Sequence, residues 1–204
     1  MNNTYVVKIG SSVLLTRRNK LDEYRIAQIA QQISSLKEVG INVVLIISGA
    51  VGCGSNFVDL KENNKILRQE AAGIGQVLLT SIFHTIFKNY KLQIAQILLT
   101  KKDIGSKNLY EVLNNYLKLG FVPFINENDV VDLNSFSGND FLGAEIATLL
   151  KLKEFLILST MKGSTYGIGG GEAKQLVIQH LNTIGIKTRL LNGKVKNILL
   201  NSIL

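Results

Sequence analysis

Apolar and polar positions along the chain switch between two periods. Tyr5 to Gly10 is a short run of strand-forming residues that ends at glycine. Residues 22–39 then place Ile26, Ile29, Ala30, Ile33 and Leu36 at helical spacing, with Gly40 where a helix stop belongs. Ile41 to Ile47 is a run rich in β-branched residues and polar only at Asn42, as in a parallel strand covered on both faces. The pattern then repeats. It predicts a helix over 62–90, with Gly73 and Gly75 as a candidate break, and a strand over 93–99. Next come a helix over 107–118 closed by Gly120, a strand over 121–125, a helix over 140–153 and a strand over 155–158. A helix over 173–183 closed by Gly185 and a strand over 187–191 complete the series. Strand and helix alternate throughout. That alternation argues for a three-layer αβα sandwich with a mostly parallel central sheet.

In such a sheet, ligands bind beyond the carboxyl ends of the strands. The segments in that position are Gly10-Ser11-Ser12, Ser48-Gly49-Ala50, Asn126-Glu127-Asn128-Asp129 and Ser159 to Gly163. All are rich in small or polar residues. The one glycine-rich stretch, Gly167 to Gly171, directly precedes a predicted helix.

Composition mainly excludes. The chain has 204 residues and is 46% hydrophobic, which suits one domain with a sizeable core. Its net charge is +8, yet the lysines are scattered and no basic run exceeds a pair such as Arg17-Arg18 or Lys101-Lys102. This reads as a basic composition, not as a nucleic-acid-binding stripe. Cys53 is the only cysteine, so no intrachain disulfide forms, in keeping with a reducing, cytoplasmic location. No signal peptide and no membrane span are expected. His84 and His180 sit in helical segments distant in sequence from Asp or Cys partners, and read as structural.

Two familiar phosphate-binding patterns fail. Gly49 to Gly54 has the glycine spacing of a P-loop, but Ser55 stands where lysine is needed. No G-x-G-x-x-G opens a helix after the first strand. Other segments remain, each ambiguous alone. Lys8 before Gly10-Ser11 reads either as a strand-edge lysine reaching solvent or as a phosphate contact beside open backbone N–H groups. Ser48-Gly49-Ala50 reads as a tight turn or as a substrate cradle. The Asn126-to-Asp129 quartet reads as an Asx turn or as hydrogen-bonding groups for an amino acid. Asn139 and Asp140 open a helix, where capping is the plain reading. Lys174 falls in the first turn after the glycines, where backbone N–H groups and an ammonium suit phosphate.

The order of these segments carries more than any one of them. Lys8-x-Gly-Ser-Ser, Ser48-Gly-Ala-Val, Gly75-Gln76, Ile125-Asn-Glu-Asn-Asp-Val, Gly138-Asn-Asp and a glycine-rich loop leading to Lys174 together resemble the glutamate 5-kinase branch of the amino acid kinases. The resemblance covers nearly the whole chain, and the Asn-Glu-Asn-Asp segment is its most specific piece. It implies an amino-acid-kinase-type fold in a single domain over residues 1–204. It also implies ATP-dependent phosphorylation of the γ-carboxylate of L-glutamate, with Mg²⁺ on the ATP phosphates and no dedicated protein metal site. By the same resemblance, Lys8, Asp140 and Lys174 are catalytic, with Asp140 organising the two lysines. Ser48, Gly49, Ala50, Asn126, Asp129 and Asn139 hold glutamate. Lys8, Gly10, Ser11, Ser159, Thr160, Gly169, Gly170 and Lys174 hold ATP. A homo-oligomer is implied as well.

The chain departs from the family pattern at three places. Gly138 stands where an acidic residue is usual, and Ser159-Thr160 replace Thr-Asp. A long stretch between the late strand and the glycine-rich loop is missing, so the nucleotide-binding part is truncated after about residue 160. The C-terminal RNA-binding-like domain of some members has no counterpart in these residues. The alternative reading is a catalytically impaired relative that binds glutamate or proline, or that pairs with an intact kinase.

Overall fold

The computed structural model describes residues 3–60, 64–160 and 171–204. Six strands form one sheet: β1 (Thr4–Ile9), β2 (Asn42–Ile47), β3 (Ile94–Leu99), β4 (Val122–Glu127), β5 (Glu154–Ser159) and β6 (Lys187–Asn192). Their order is β3-β4-β2-β1-β5-β6. Every pairing is parallel, so the sheet is fully and not only mostly parallel. The central strands explain this. β1, β2 and β4 are buried on both faces, and apolar residues fill most positions, the buried polar exceptions including Lys8, Asn126 and Glu127.

Alternation along the strands splits the core in two. Val7, Ile9, Leu45, Phe124 and Leu158 face α2 (Glu23–Glu38) and α4 (Lys65–Asn89). Val6, Ile46, Ile125 and Ile157 face α5 (Lys107–Lys118), α6 (Asn139–Leu149) and α7 (Gly171–Thr183). The result is the expected three-layer αβα sandwich. Two helix starts are marked by side-chain caps. Asp22 accepts from the N–H of Arg25 at 3.0 Å, and Asn64 accepts from that of Ile66 at 2.8 Å. The three predicted stops, Gly40, Gly120 and Gly185, all have φ near the left-handed region, at 79°, 81° and 80°.

The structure corrects three expectations. α4 runs unbroken through Gly73 and Gly75. Gly75 is there for a close approach: a Cβ on it would lie 1.8 Å from the carbonyl oxygen of Ala50, in the short helix α3 (Ala50–Gly54). Strand β4 extends to Glu127, so Asn126 and Glu127 are strand residues and not part of a turn. Helix α6 starts at Asn139 and ends at Leu149, and Asn139 is its first residue without a side-chain capping bond. Short helices α1 (Ser11–Leu14) and α8 (Leu200–Ile203), and a 3-10 turn over Lys101–Asp103, were not anticipated. Among the described residues, no helix is long and apolar enough to cross a membrane.

Candidate active site

The connections set where a site can form. The chain leaves β1 and β2 toward the α2/α4 face, and leaves β4 and β5 toward the α6/α7 face. Because β2 neighbours β4 and β1 neighbours β5, loops diverge on either side of the β1–β2 pair. Crevices at such divergences are where open α/β sheets bind ligands.

At the β1/β5 crevice the polar groups are ions. Lys8 shares the sheet face of Val6 and is only 5% exposed. Its ammonium lies 2.7 Å from Oδ1 of Asp140, in the first turn of α6. Oδ2 of the same carboxylate lies 3.3 Å from the ammonium of Lys174 on α7. One buried carboxylate thus reaches two lysines drawn from distant parts of the chain. Burial pushes the Lys8 ammonium below its ordinary range, and Lys174 adds to that push. Asp140, and more weakly Glu127, oppose it. A charge buried this deeply is tolerated because it is paired.

The backbone around these ions is tied to the sheet. The N–H of Gly10 donates to the carbonyl of Leu158 at 2.9 Å, which ties the loop after β1 to β5. A Cβ on Gly10 would stand 3.2 Å from the carbonyl oxygen of Leu158, a tight approach, and 3.7 Å from the Lys8 ammonium, an ordinary contact. Ser11 opens α1, and the next residue, Ser12, accepts from the N–H of Thr160 at 3.3 Å. Ser159 is the last residue of β5. Lys8, Gly10, Ser11, Ser159, Thr160, Asp140 and Lys174 are therefore gathered at one end of the sheet. Gly169 and Gly170 lie outside the described residues.

At the β2/β4 crevice amides and carboxyl groups dominate. Ser48 follows Ile46 by two positions and Asn126 follows Ile125 by one, on strands paired at Ile46 and Ile125. The N–H of Ser48 donates to the carbonyl of Ile9 at 3.2 Å. Gly49 has φ +114°, and a Cβ on it would lie 3.7 Å from that of Ser11, so the two crevices adjoin. Ala50 begins α3. Asn126 is 1% exposed. Its Oδ1 accepts from the N–H of Glu127 at 2.9 Å, and its Nδ2 donates to Oε1 of Gln76 at 2.8 Å. Asp129 accepts from the N–H of Asn134 at 3.1 Å. Burial pushes its carboxyl up, against the pull of the Asn134 N–H and of Arg68. Asn139 keeps a buried amide oxygen with no hydrogen-bond partner among the described residues, so it is free to receive a donor.

Two residues of this crevice were not singled out as site residues from sequence. Gln76 lies on α4 and holds the Asn126 amide; its pairing with glycine in Gly75-Gln76 was the only local signal. Glu127 is 4% exposed, and burial lifts its carboxyl to about 7. Asp129 and Asp132 add to that rise, while the N–H of Phe136 and the charge of Lys8 resist it. Strand alternation from Ile125 would have placed Glu127 on the Lys8 face. His84 and His180 are exposed. Cys53 is buried and its thiol is pushed up to about 12, which leaves it unreactive.

Comparison with known proteins bears on the family and the fold. The model of the amino acid kinase family matches residues 3–163. The chain is 37% identical to glutamate 5-kinase of Clostridium acetobutylicum, over 79% of this chain and 63% of that protein. It is 33% identical to glutamate 5-kinase of Thermus thermophilus, over 97% and 64%. It is 36% identical to glutamate 5-kinase 1 of Bacillus subtilis, over 78% and 46%. The chain thus spans between about half and two thirds of the length of these relatives. The Thermus alignment runs over 237 positions against 204 residues here, so part of the matched stretch has no counterpart in this chain. Among solved structures, an isopentenyl phosphate kinase superposes with a TM-score of 0.69 at 12% identity, covering 98% of this chain and 95% of that one. UMP kinase from Bacillus anthracis superposes at 0.68, also at 12% identity, covering 98% and 91%. These two show the fold alone.

Proposed function

Because the chain belongs to the amino acid kinase family, we propose that it transfers the terminal phosphoryl group of ATP to the side-chain carboxylate of L-glutamate, the first step of proline biosynthesis. The observation that carries this reading is the Asp140 carboxylate reaching both Lys8, at 2.7 Å, and Lys174, at 3.3 Å. Phosphoryl transfer needs positioning and charge stabilisation more than covalent help. Two ammonium groups fixed by one buried carboxylate are already oriented before substrate arrives, so little reorganisation is left to the reaction itself.

In this reading Lys8 meets the transferred phosphoryl group, and Lys174 stabilises charge on the leaving side. Asp140 keeps both ammonium groups in place, and its charge opposes the downward push of burial on Lys8. Gly10, Ser11, Ser159 and Thr160 line the phosphate track, and Gly169 and Gly170, given to ATP by the same reading, lie outside the described residues. Ser48, Gly49 and Ala50 hold glutamate from β2, with Asn126, Asp129 and Asn139 opposite. The glutamate carboxylate is ionised at pH 7, so no general base is required of the protein. Among the described residues, no group of three or more His, Cys, Asp or Glu side chains is placed to hold a metal. Asp140 has both oxygens beside ammonium groups. The residues present therefore suit a Mg²⁺ carried on the ATP phosphates, where it neutralises their charge. The reading extends to a cytoplasmic homo-oligomer that binds neither nucleic acid nor membrane. It also takes residues 1–204 as a single domain whose nucleotide-binding part is shortened after about residue 160.

A second reading is favoured by one observation, the stretch of the Thermus relative that has no counterpart here. The chain would then bind glutamate or proline, or pair with an intact kinase, without turning over. Trapping the acyl phosphate as hydroxamate separates the two. The first reading expects ATP- and glutamate-dependent hydroxamate that Lys8→Ala and Lys174→Ala each abolish. Glutamate binding by calorimetry without any hydroxamate would leave the second.

A further inference from the structure

Glu127 is the buried ionisable group of the β4 segment to which phosphoryl transfer gives no task. A carboxyl group with 4% exposure is costly to bury unless its oxygens are used. One of them is: Oε2 accepts from the main-chain N–H of Phe136 at 3.2 Å. The Phe136 ring is itself buried, packed in the core on the α5/α6 side of the sheet.

Phe136 belongs to a segment held in unfavourable conformations. Gly138, at 117°, takes its φ without strain, whereas Asn134 and Ser137 have φ of 59° and 62°, in the left-handed region that non-glycine residues rarely adopt. Such residues persist only where their surroundings over-determine them. Besides the turn bond from the N–H of Ser137 to the carbonyl of Asn134 at 2.9 Å, specific side chains restrain the segment. Asp129 accepts from the N–H of Asn134 at 3.1 Å, Ser135 Oγ accepts from the N–H of Lys101 at 3.2 Å, and Glu127 accepts from Phe136. The segment then runs without interruption into α6, where Gly138 accepts from the N–H of Phe141 at 3.0 Å. Asn139 and Asp140 are the first two residues of that helix.

The geometry points to Glu127 as a positioning residue: its carboxyl group holds the Phe136 main chain and so sets the start of α6, from which Asp140 aligns Lys8 and Lys174. It touches no substrate, and its catalytic consequence rests on the phosphoryl-transfer reading above. The charged groups that face it are Asp129 and Asp132 of its own loop and Lys8 of β1.

The test compares Glu127→Gln, which keeps an accepting oxygen, with Glu127→Ala, which removes it, in the full chain. The amide-proton shift of Phe136 is followed by NMR from acid to alkaline pH, and kcat and KM for ATP and glutamate are measured. In the native protein the Phe136 amide shift should follow the Glu127 carboxyl, pushed up to about 7 by burial, and in Glu127→Gln it should lose that pH dependence. Glu127→Ala shifts the amides of Asn139 and Asp140, whereas Glu127→Gln leaves them in place. Losing the held main chain lowers kcat by roughly tenfold or more in Glu127→Ala with KM for glutamate nearly unchanged, and Glu127→Gln restores most of it. A Phe136 amide that does not titrate, or undisturbed Asn139 and Asp140 amides in Glu127→Ala, overturns the assignment. So does a Glu127→Gln variant as impaired as Glu127→Ala. Should the native chain form no hydroxamate, the phosphoryl-transfer reading falls, while the amide shifts still decide whether Glu127 holds the start of α6.

Discussion

At the β1/β5 crevice the working groups are ions from three distant parts of the chain, Lys8, Asp140 and Lys174. At the β2/β4 crevice they are amides and raised carboxyls, mostly from one short segment, joined by hydrogen bonds to Gln76, Asn134 and Phe136. The first arrangement is strong and brittle, because removing one charge strands the others in a buried site. The second is softer, because its hold is spread over separate hydrogen bonds, each contributing about 1 kcal/mol net or about 1.5–3 kcal/mol where an ionised carboxylate accepts, and the loss of one leaves its neighbours standing. The division suits a phosphoryl transferase. Charge must be stabilised where phosphate moves, and shape and hydrogen bonding must discriminate where the acid binds.

The sharpest way to break the comparison is Asp140→Ala. It leaves Lys8 buried without the carboxylate that pairs it, and a stranded buried charge costs about 3–5 kcal/mol of stability. Turnover should fall by roughly 10²–10³ or more, as when a pre-set electrostatic contact is removed. Thermal unfolding and hydroxamate formation read the two effects. An Asp140→Ala chain of native stability would show that the ion triad is not what holds this crevice together.

A second effect, somewhat smaller, belongs to the other crevice. The folded Glu127 carboxyl titrates near 7, above the ordinary value of 4.5. Its contribution to stability is therefore fully present below about pH 4.5 and is lost as pH rises through 7. The full swing is about 3 kcal/mol, taking 1.36 kcal/mol per unit. Asp129, also raised, adds to the same trend. Denaturant unfolding between pH 5 and pH 8 should show declining stability, and Glu127→Gln should flatten much of the slope. An unchanged slope in Glu127→Gln would place the trend elsewhere.

The two crevices also differ in how far the chain's pattern reveals them. Local features were legible. Gly40, Gly120 and Gly185 end helices because a left-handed residue is needed one step past the last turn, and that need is written in the residue itself. The parallel sheet followed from largely apolar runs. Lys8 is the opposite case. Within its strand it reads as a lysine reaching solvent, and only Asp140, far along the chain, makes its burial tolerable. The Asn126 quartet was visible because its residues are contiguous. That two of its members belong to β4 was not, since polar residues read as a turn until partners such as Gln76 and Phe136 are known. The unbroken course of α4 was hidden for a related reason: Gly75 answers to the Ala50 carbonyl across the helix pair, not to its own helix.

The smallest predicted effect tests the softness of the amide side. Oδ1 of Asn126 is committed to the backbone N–H of Glu127, so its NH₂ must point the other way, toward Gln76. Gln76 is fixed in turn by donating to Thr80 Oγ1 at 3.1 Å. These bonds set one orientation of the Asn126 amide and leave one of its N–H groups for a ligand. Gln76→Ala frees the amide to rotate. An unmade buried hydrogen bond of this kind costs about 1 kcal/mol, so KM for glutamate should rise roughly fivefold while kcat and KM for ATP stay within about twofold. Gln76→Glu keeps the acceptor for Asn126 but not the donor to Thr80, and should fall between native and Gln76→Ala. Steady-state kinetics with each substrate varied checks the pattern. A Gln76→Ala variant that loses kcat instead of affinity would show that the two crevices are coupled through α4, and that the amide side is no softer than the ionic one.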